Sequence, residues 1–210
     1  MQQAFHWNTA GKNAFTNLSL LQKARTKGGI DAMAELIIKS IKHHGFESTK
    51  IFRFHEGGDF YSDDYFKAWI QVAKALSNIT FYGHTTSLHF WMANRGSIPN
   101  NMRLIASMDE DNEDFIYKHN LRYAKVVYSV EEATQLKLKI DYDDTLACCS
   151  DESFALLIHG NQPAGSESRK AVSKLNKDGT KDKLGQLHKA NKGKRDKLRS
   201  TDGYTSIFKK

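Results

Sequence analysis

The apolar positions of this chain follow a helical period and a strand pattern in turn. Between Gly29 and His44, Ile30, Met33, Ala34, Ile37, Ile38 and Ile41 recur at helical spacing, and Gly45 is a natural stop. Lys50–His55 (KIFRFH) then reads as a strand and EGGDFYS as a glycine turn. Ser62 or Asp63 can cap a second helix, whose apolar face is Tyr65, Phe66, Trp69, Ile70, Ala73 and Leu76. Ile79–His84 is the next strand, Ser87–Asn94 a helix, Pro99-Asn100-Asn101 a turn and Met102–Ser107 a third strand. An acidic loop over Asp109–Asp114 precedes a strand at Lys125–Ser129 and a short helix over Glu131–Gln135. Phe154–His159 is a last buried strand, after which GNQPAGSES turns into a helix starting near Ser166.

Successive strand starts lie 23 to 29 residues apart, room for a strand, a crossover helix and two loops. Right-handed crossovers then favour a parallel sheet with its helices outside. The predicted fold class is α/β, with a parallel sheet of five to six strands and outer helices, either an open sheet or a partial barrel. That number is too small for a complete eight-fold barrel. Beyond Lys177 the periodicity ends. We therefore expect an α/β domain over 1–177 and a basic tail over 178–210, extended or partly helical, in which GYTSIF carries apolar groups that could dock it back.

Composition adds three constraints. With 40% hydrophobic residues the chain can bury a core without disulfides. Its two cysteines, Cys148 and Cys149, are adjacent. Adjacent cysteines seldom pair, and two thiols alone cannot close a tetrahedral zinc site, so reduced thiols in a cytosol-like compartment are expected. No apolar run reaches the roughly 18 residues of a membrane span, and MQQAFHWNTAGKN lacks the features of a signal peptide. The net charge of +7 is unevenly placed: Arg169–Lys210 alone carries a balance of +10, leaving the rest slightly acidic. Lys189, Lys192, Lys194, Arg195, Lys197 and Arg199 are the candidates for contact with DNA or RNA phosphates. A solvated extension with no specific partner is the plainer alternative.

Ligands of parallel α/β folds bind where strands end, because the loops converge there. Three predicted strands end in histidine: His55, His84 and His159. One strand-end histidine is more often structural, whereas three together point to a cleft. With Asp59 they are the catalytic candidates; with Asp109 they are candidate metal ligands, imidazole and carboxylate being the donors such a site needs. Gly57, Gly58, Ser62, Thr85, Ser107 and Gln162 are the candidate ligand-binding positions. Gly57-Gly58 allows close backbone approach, and the helix start that follows offers free N–H groups. An ordinary strand-to-helix turn has the same residues. No Walker loop, GxGxxG, GxSxG or HExxH motif is present.

The block RFHEGGDFYSDDYFKAWIQVAKALSNITFYGHTTSL resembles the phage gene-product-88 family. His55, Gly58, Asp59, Phe60, Ser62, Trp69, Phe81, Tyr82 and Thr85 match its pattern, and IPNNMRLIAS and ALLIHGNQPAGSES resemble further family blocks. The resemblance covers residues 6–170. That family is in turn distantly similar to radical S-adenosylmethionine barrels, in which a glycine-rich turn holds the methionine amino group; Gly57-Gly58-Asp59 stands in its place. Such enzymes need three N-terminal cysteines, and here no cysteine precedes Cys148, with His6-Trp7 where a Cys-aromatic pair would stand. An iron–sulfur cluster is therefore not expected, and any other cofactor is left open.

Three functions follow as expectations. The first is a phage accessory protein of the host cytoplasm, with a degenerate nucleotide- or S-adenosylmethionine-like pocket, associated with nucleic acid. The second is a metal-dependent enzyme using the strand-end His and Asp residues. The third is a non-catalytic nucleic-acid-binding or interaction module. No membrane partner is expected.

Overall fold

A computed structural model describes residues 9–179 apart from Glu56 and Asn161, with side chains from Ala14 onward. The elements run α1 (Thr9–His43), β1 (Ile51–Arg53), α2 (Asp63–Ala75), β2 (Thr80–Thr85), α3 (Leu88–Asn94), β3 (Met102–Met108), α4 (Glu113–Lys118) and β4 (Tyr123–Val127). They continue with α5 (Val130–Gln135), β5 (Lys139–Ile140), α6 (Thr145–Cys149), β6 (Phe154–Leu157) and α7 (Glu167–Lys177). The six strands are ordered β1-β2-β3-β4-β6-β5 in one sheet. The α/β expectation holds. The described chain divides into two compact units, one running to Phe81 and adding Ser87–Met102, the other made of Tyr82–Thr86 and the residues from Arg103.

In the first unit, α1 packs along α2. Met33, Ala34, Ile37 and Ile41 are buried, which is the helical stripe read in the sequence. The helical geometry of this stripe starts after Gly29, in line with the sequence reading, and a further helical stretch from Thr9 runs up to a break at Gly28-Gly29, where Gly29 has φ 64. A positive φ interrupts the helical ladder, and glycine adopts it without a Cβ clash. Upstream of the kink the apolar stripe is weak: Leu21 is buried, while Phe15 and Leu20 are exposed. Ser62 caps α2, its hydroxyl accepting the Tyr65 N–H at 3.2 Å.

The core of this unit is aromatic. Phe52, Phe54, Phe66, Trp69 and Phe81 are almost fully buried. Trp69 lies 5.3 Å from Phe54 and 6.0 Å from Phe81, ring centre to ring centre. Asn101 closes the end of this core. Its side-chain amide donates to the carbonyls of Ala73 and Ile79, both at 2.8 Å, and its own carbonyl accepts the Phe81 N–H at 2.7 Å.

In the second unit, β4 pairs in parallel with β3 and β6, and β5 pairs in parallel with β6. Val127, Ala133, Ala155, Leu157 and Leu175 form one core cluster, so α5 and α7 cover one face of β4 and β6. Three elements depart from the sequence reading. The segment read as an acidic loop enters α4 at Glu113, because Asp109 and Asn112 fold the turn before it: Asp109 Oδ1 accepts the N–H groups of Asp111 and Asn112. Strand β5 and helix α6, both between the predicted helix after β4 and the last strand, were not expected.

The Asn101 side chain serves two elements at once, so its removal leaves two carbonyls without their donor. Asn101→Ala is expected to lower stability by about 1–3 kcal/mol. Urea unfolding should show a lower midpoint at unchanged slope.

Candidate functional site

In the first unit, the turn after β1 is built around His55. The residue has φ 54, a left-handed conformation that is uncommon outside glycine and adds strain of about 1–3 kcal/mol. Gly58 follows with φ 90. This backbone turns the His55 ring into an aromatic box: Phe60 at 4.5 Å, Tyr65 at 5.5 Å and Trp69 at 6.1 Å. Nε2 of His55 hydrogen-bonds the Tyr65 hydroxyl at 3.1 Å, the tautomer deciding which atom donates. Nδ1 is buried without a hydrogen-bond partner. The Trp69 indole N–H approaches the Tyr65 hydroxyl without reaching hydrogen-bond geometry.

Burial pushes the His55 imidazole down to about 4, with the nearby Asp59 carboxylate opposing. At neutral pH the ring is therefore uncharged. Burial likewise raises the Tyr65 phenol above its ordinary value. Asp59 accepts the Phe60 N–H at 2.7 Å, which tightens the turn. Gly57 and Gly58 are exposed, and Ser62 has its capping role. The first two turn residues of α2 are acidic, Asp63 and Asp64, so this helix start does not suit an anion.

In the second unit, His84 lies on the face of the sheet that carries Phe154, ring centres 6.0 Å apart and edge-on. The register pairs Ser107 with Ala124 and Val126 with Leu156, so these residues share that face with Phe154. Val126 is 49% exposed although β4 lies between β3 and β6. Interior strands of parallel sheets are ordinarily covered on both faces. Here one face is open near its strand ends, with an apolar floor and the polar groups of His84 and Ser107.

The other candidates of this unit have local structural duties. His159 Nδ1 is 3.0 Å from the Leu157 carbonyl oxygen, and Gln162 donates to the His159 carbonyl at 2.8 Å, which together shape the turn after β6. Asp109 folds the turn before α4. Thr85 is buried. Among the described residues, no group of three or more His, Cys, Asp and Glu side chains could hold a metal ion. Lys189, Lys192, Lys194, Arg195, Lys197 and Arg199 lie outside the described residues, as does GYTSIF.

Sequence reasoning missed the groups that hold α6. Asp141 is buried, and its carboxylate accepts the Ala147 N–H at 2.8 Å. Burial raises its carboxyl, against the pull of the N–H groups of Ala147 and Asp143. Tyr82 donates to Asp144 at 3.2 Å. The acidic run DYDDT just before α6 was the available signal, since such residues cap helices. A second omission is the ordered basic face of α7. Arg169, Lys170, Ser173, Lys174 and Lys177 are exposed along one side, while Ala171, Val172 and Leu175 turn inward. With Gly165, Ser173 and the Asp178 carboxylate, the basic residues line one shallow surface hollow.

The family model for gene product 88 matches residues 2–178. The chain belongs to this phage family. It is also 30% identical over 102 residues to the gene 88 protein of Mycobacterium phage D29. That alignment takes in 47% of this chain and 41% of the relative, so the chain spans less than half of that curated relative's length. No solved structure matches. For this family member, the matched range takes in every described element, including the His55 turn, the open sheet face and α7. Among the described residues no helix is long and apolar enough to cross a membrane.

The His55 ring gives a pH signature. Its folded value of about 4 lies below the ordinary 6.5, so between these the unfolded chain binds more protons than the folded one. The stabilisation from the neutral buried ring is fully present above pH 6.5 and is lost as pH falls through about 4. Its size is about 3 kcal/mol. His55→Asn keeps a residue that tolerates left-handed backbone and removes the titration. Unfolding measured across this window should show a shallower loss of stability for the variant; identical slopes would count against a buried neutral ring.

Proposed function

We propose that this protein is a phage accessory protein that works on nucleic acid in the host cytoplasm, docking through α7 and the basic segment after it. The observation that carries the reading is the helical stripe of Arg169, Lys170, Lys174 and Lys177. Leu175 anchors the opposite side of α7 in the core, so the stripe is presented by a fixed helix. Lys170 pairs with Glu167 at 2.6 Å, and both side chains are largely exposed. Exposed pairs of this kind are worth little and yield readily to a phosphate. The charge continues beyond α7 through the candidates Lys189 to Arg199. Contacts made by lysine and arginine to phosphates position a protein without reading sequence.

The second part of the reading is a nucleotide- or S-adenosylmethionine-like pocket. The open sheet face of the second unit, with Val126, His84 and Ser107, supports it. Equilibrium dialysis with S-adenosylmethionine and with adenine nucleotides, on the wild type and on Val126→Arg, tests this part. Loss of binding in the variant is the expected result, and no binding by the wild type would remove the pocket from the reading.

Nucleic-acid binding is expected to be sequence-tolerant, with Kd about micromolar or weaker at physiological salt, falling steeply as salt rises. Replacing Arg169, Lys170, Lys174 and Lys177 by Gln should lower the slope of log K against log salt by about 3 to 4 on duplex DNA, because four fewer phosphates are neutralised. A chain ending at Lys177 should lose most of its binding and stay folded. Titrations of the three forms on unrelated duplexes and single strands measure this. Equal binding by all forms would show that neither segment is the anion-binding element.

A further inference from the structure

The adjacent thiols of Cys148 and Cys149 sit at the end of α6, with their Sγ atoms facing each other in direct contact. Both are free; Cys149 is exposed and Cys148 half-buried. Their surroundings are unusually well tied. Arg122 donates through Nη2 to the Leu146 carbonyl at 2.6 Å, through both Nη atoms to the Ala147 carbonyl at 3.1 Å, and through Nε to the Glu152 carbonyl at 3.1 Å. Its guanidinium also lies over the Phe154 ring at 5.5 Å. Arg103 donates to the Ser150 carbonyl and to Asp151, each at 2.6 Å. Two arginines, one within β3 and one just before β4, thus grip the segment that carries the two thiols.

We propose that Cys148 and Cys149 form a thiol-exchange site that a small disulfide of the glutathione class oxidises reversibly to a 148–149 disulfide. Cys149, the exposed thiol, attacks first as thiolate. Its sulfur bonds to one sulfur of the small disulfide, the S–S bond of that molecule breaks, and one small thiolate leaves and takes up a proton from water. Cys148 then gives its proton to water, and its sulfur attacks Cys149 Sγ. The mixed disulfide breaks and the second small thiol departs. Two protein thiols are oxidised by two electrons, and one small disulfide is reduced to two thiols.

Adjacency favours the second step, since the two sulfurs already face each other, while burial and the neighbouring Cys149 thiol push the Cys148 thiol up and so slow it. Covalent geometry makes the product labile. Consecutive Cα atoms are about 3.8 Å apart, below the 4.4–6.8 Å or so usual across a disulfide. Strain of this kind makes a disulfide easy to reduce, which suits a reversible mark and not a staple. In a reducing cytosol the pair rests as thiols and responds only to an oxidising shift. Closure also draws the 148–149 peptide away from helical geometry. The bonds at stake are Cys148 N–H to the Asp144 carbonyl, 2.9 Å, and Ser150 N–H to the Leu146 carbonyl, 3.1 Å. Oxidation therefore loosens the end of α6 from the Arg122 grip.

The test is to incubate the full chain with oxidised glutathione, quench with acid and measure intact mass and free thiols. The expected product is lighter by two hydrogens, has no free thiol and returns to the starting mass with dithiothreitol. Cys148→Ser, which lacks the resolving sulfur, should instead hold one stable glutathionyl group on Cys149. A wild type that accumulates the glutathionyl adduct, or that keeps both thiols while Cys148→Ser is modified, would overturn the proposal. Hydrogen exchange reads the structural consequence: the amides of Cys148 and Ser150 should exchange faster in the oxidised form. Unchanged exchange in a fully closed sample would overturn the loosening of α6.

Discussion

The packing of aromatic rings on Trp69 is the constraint from which the first unit follows. This side chain is almost fully buried, and Phe52, Phe54, His55, Tyr65 and Phe81 all have ring centres within 6.4 Å of it. Those residues come from β1, the turn after it, α2 and β2. Aromatic groups bury large areas and prefer tilted or edge-on arrangements over flat stacking, and the interplanar angles here run from 35° to 81°. A box of this kind has no room for a charged ring. It explains why His55 is neutral, and why its backbone takes a left-handed turn: the ring must point back into the core that the strand has just left. The functional question for this turn is thus tied to packing, since the group with the most perturbed chemistry is also a wall of the core.

The second unit solves a different problem, namely how to end a parallel sheet. Its covered face is apolar and closed by α5 and α7 through Ala133 and Leu175. On the other face the covering is partial. Phe154 is fully buried beneath the Arg122 guanidinium and beside the His84 ring, whereas Val126 is half exposed. Arginine suits the closed part because its planar group stacks on the aromatic face while its donors reach carbonyls on the last turn of α6. Carbonyls at the end of a short helix are short of N–H partners, and of these Leu146 is also reached by a backbone group, the Ser150 N–H at 3.1 Å. One side chain therefore covers an aromatic ring and completes a helix end.

Much of this was legible in the sequence, for identifiable reasons. Strands rich in apolar residues and bounded by turn signals read as short apolar runs, so β1, β2, β3, β4 and β6 stood out at regular spacing. Strand β5 did not, since Lys139 and Ile140 are only two residues at a sheet edge. Helix α6 has five residues and is held by side chains from elsewhere, so it carries no periodicity of its own. The helix start at Gly29 was legible, and α1 breaks there; the helical stretch before it, from Thr9, was not, because its apolar stripe is weak. Candidate site positions were legible as residues at strand ends, but their partners were not. His159, Asp109 and Ser62 turned out to shape turns and caps; nothing in the local sequence separates such a duty from ligand contact. The burial of His55 was equally hidden, since it depends on Phe60, Tyr65 and Trp69 folding over it.

The placement of charge follows from the same division between fixed and local structure. Counted by sequence, the basic excess begins at Arg169 and could all have belonged to a loose extension. Helix α7 changes that accounting. Ser166 caps it, its hydroxyl accepting the Arg169 N–H at 3.1 Å, and Leu175 buries on the sheet with Val127 and Leu157. A helix of eleven residues rises about 16 Å, so the basic groups from Arg169 to Lys177 are spread along a line instead of gathered at a point. A line of positive charge held on a folded surface complements an extended polyanion better than a compact one, because successive phosphates can each meet a cation without bending. The order already present in α7 also lowers the entropy lost when the surface is occupied.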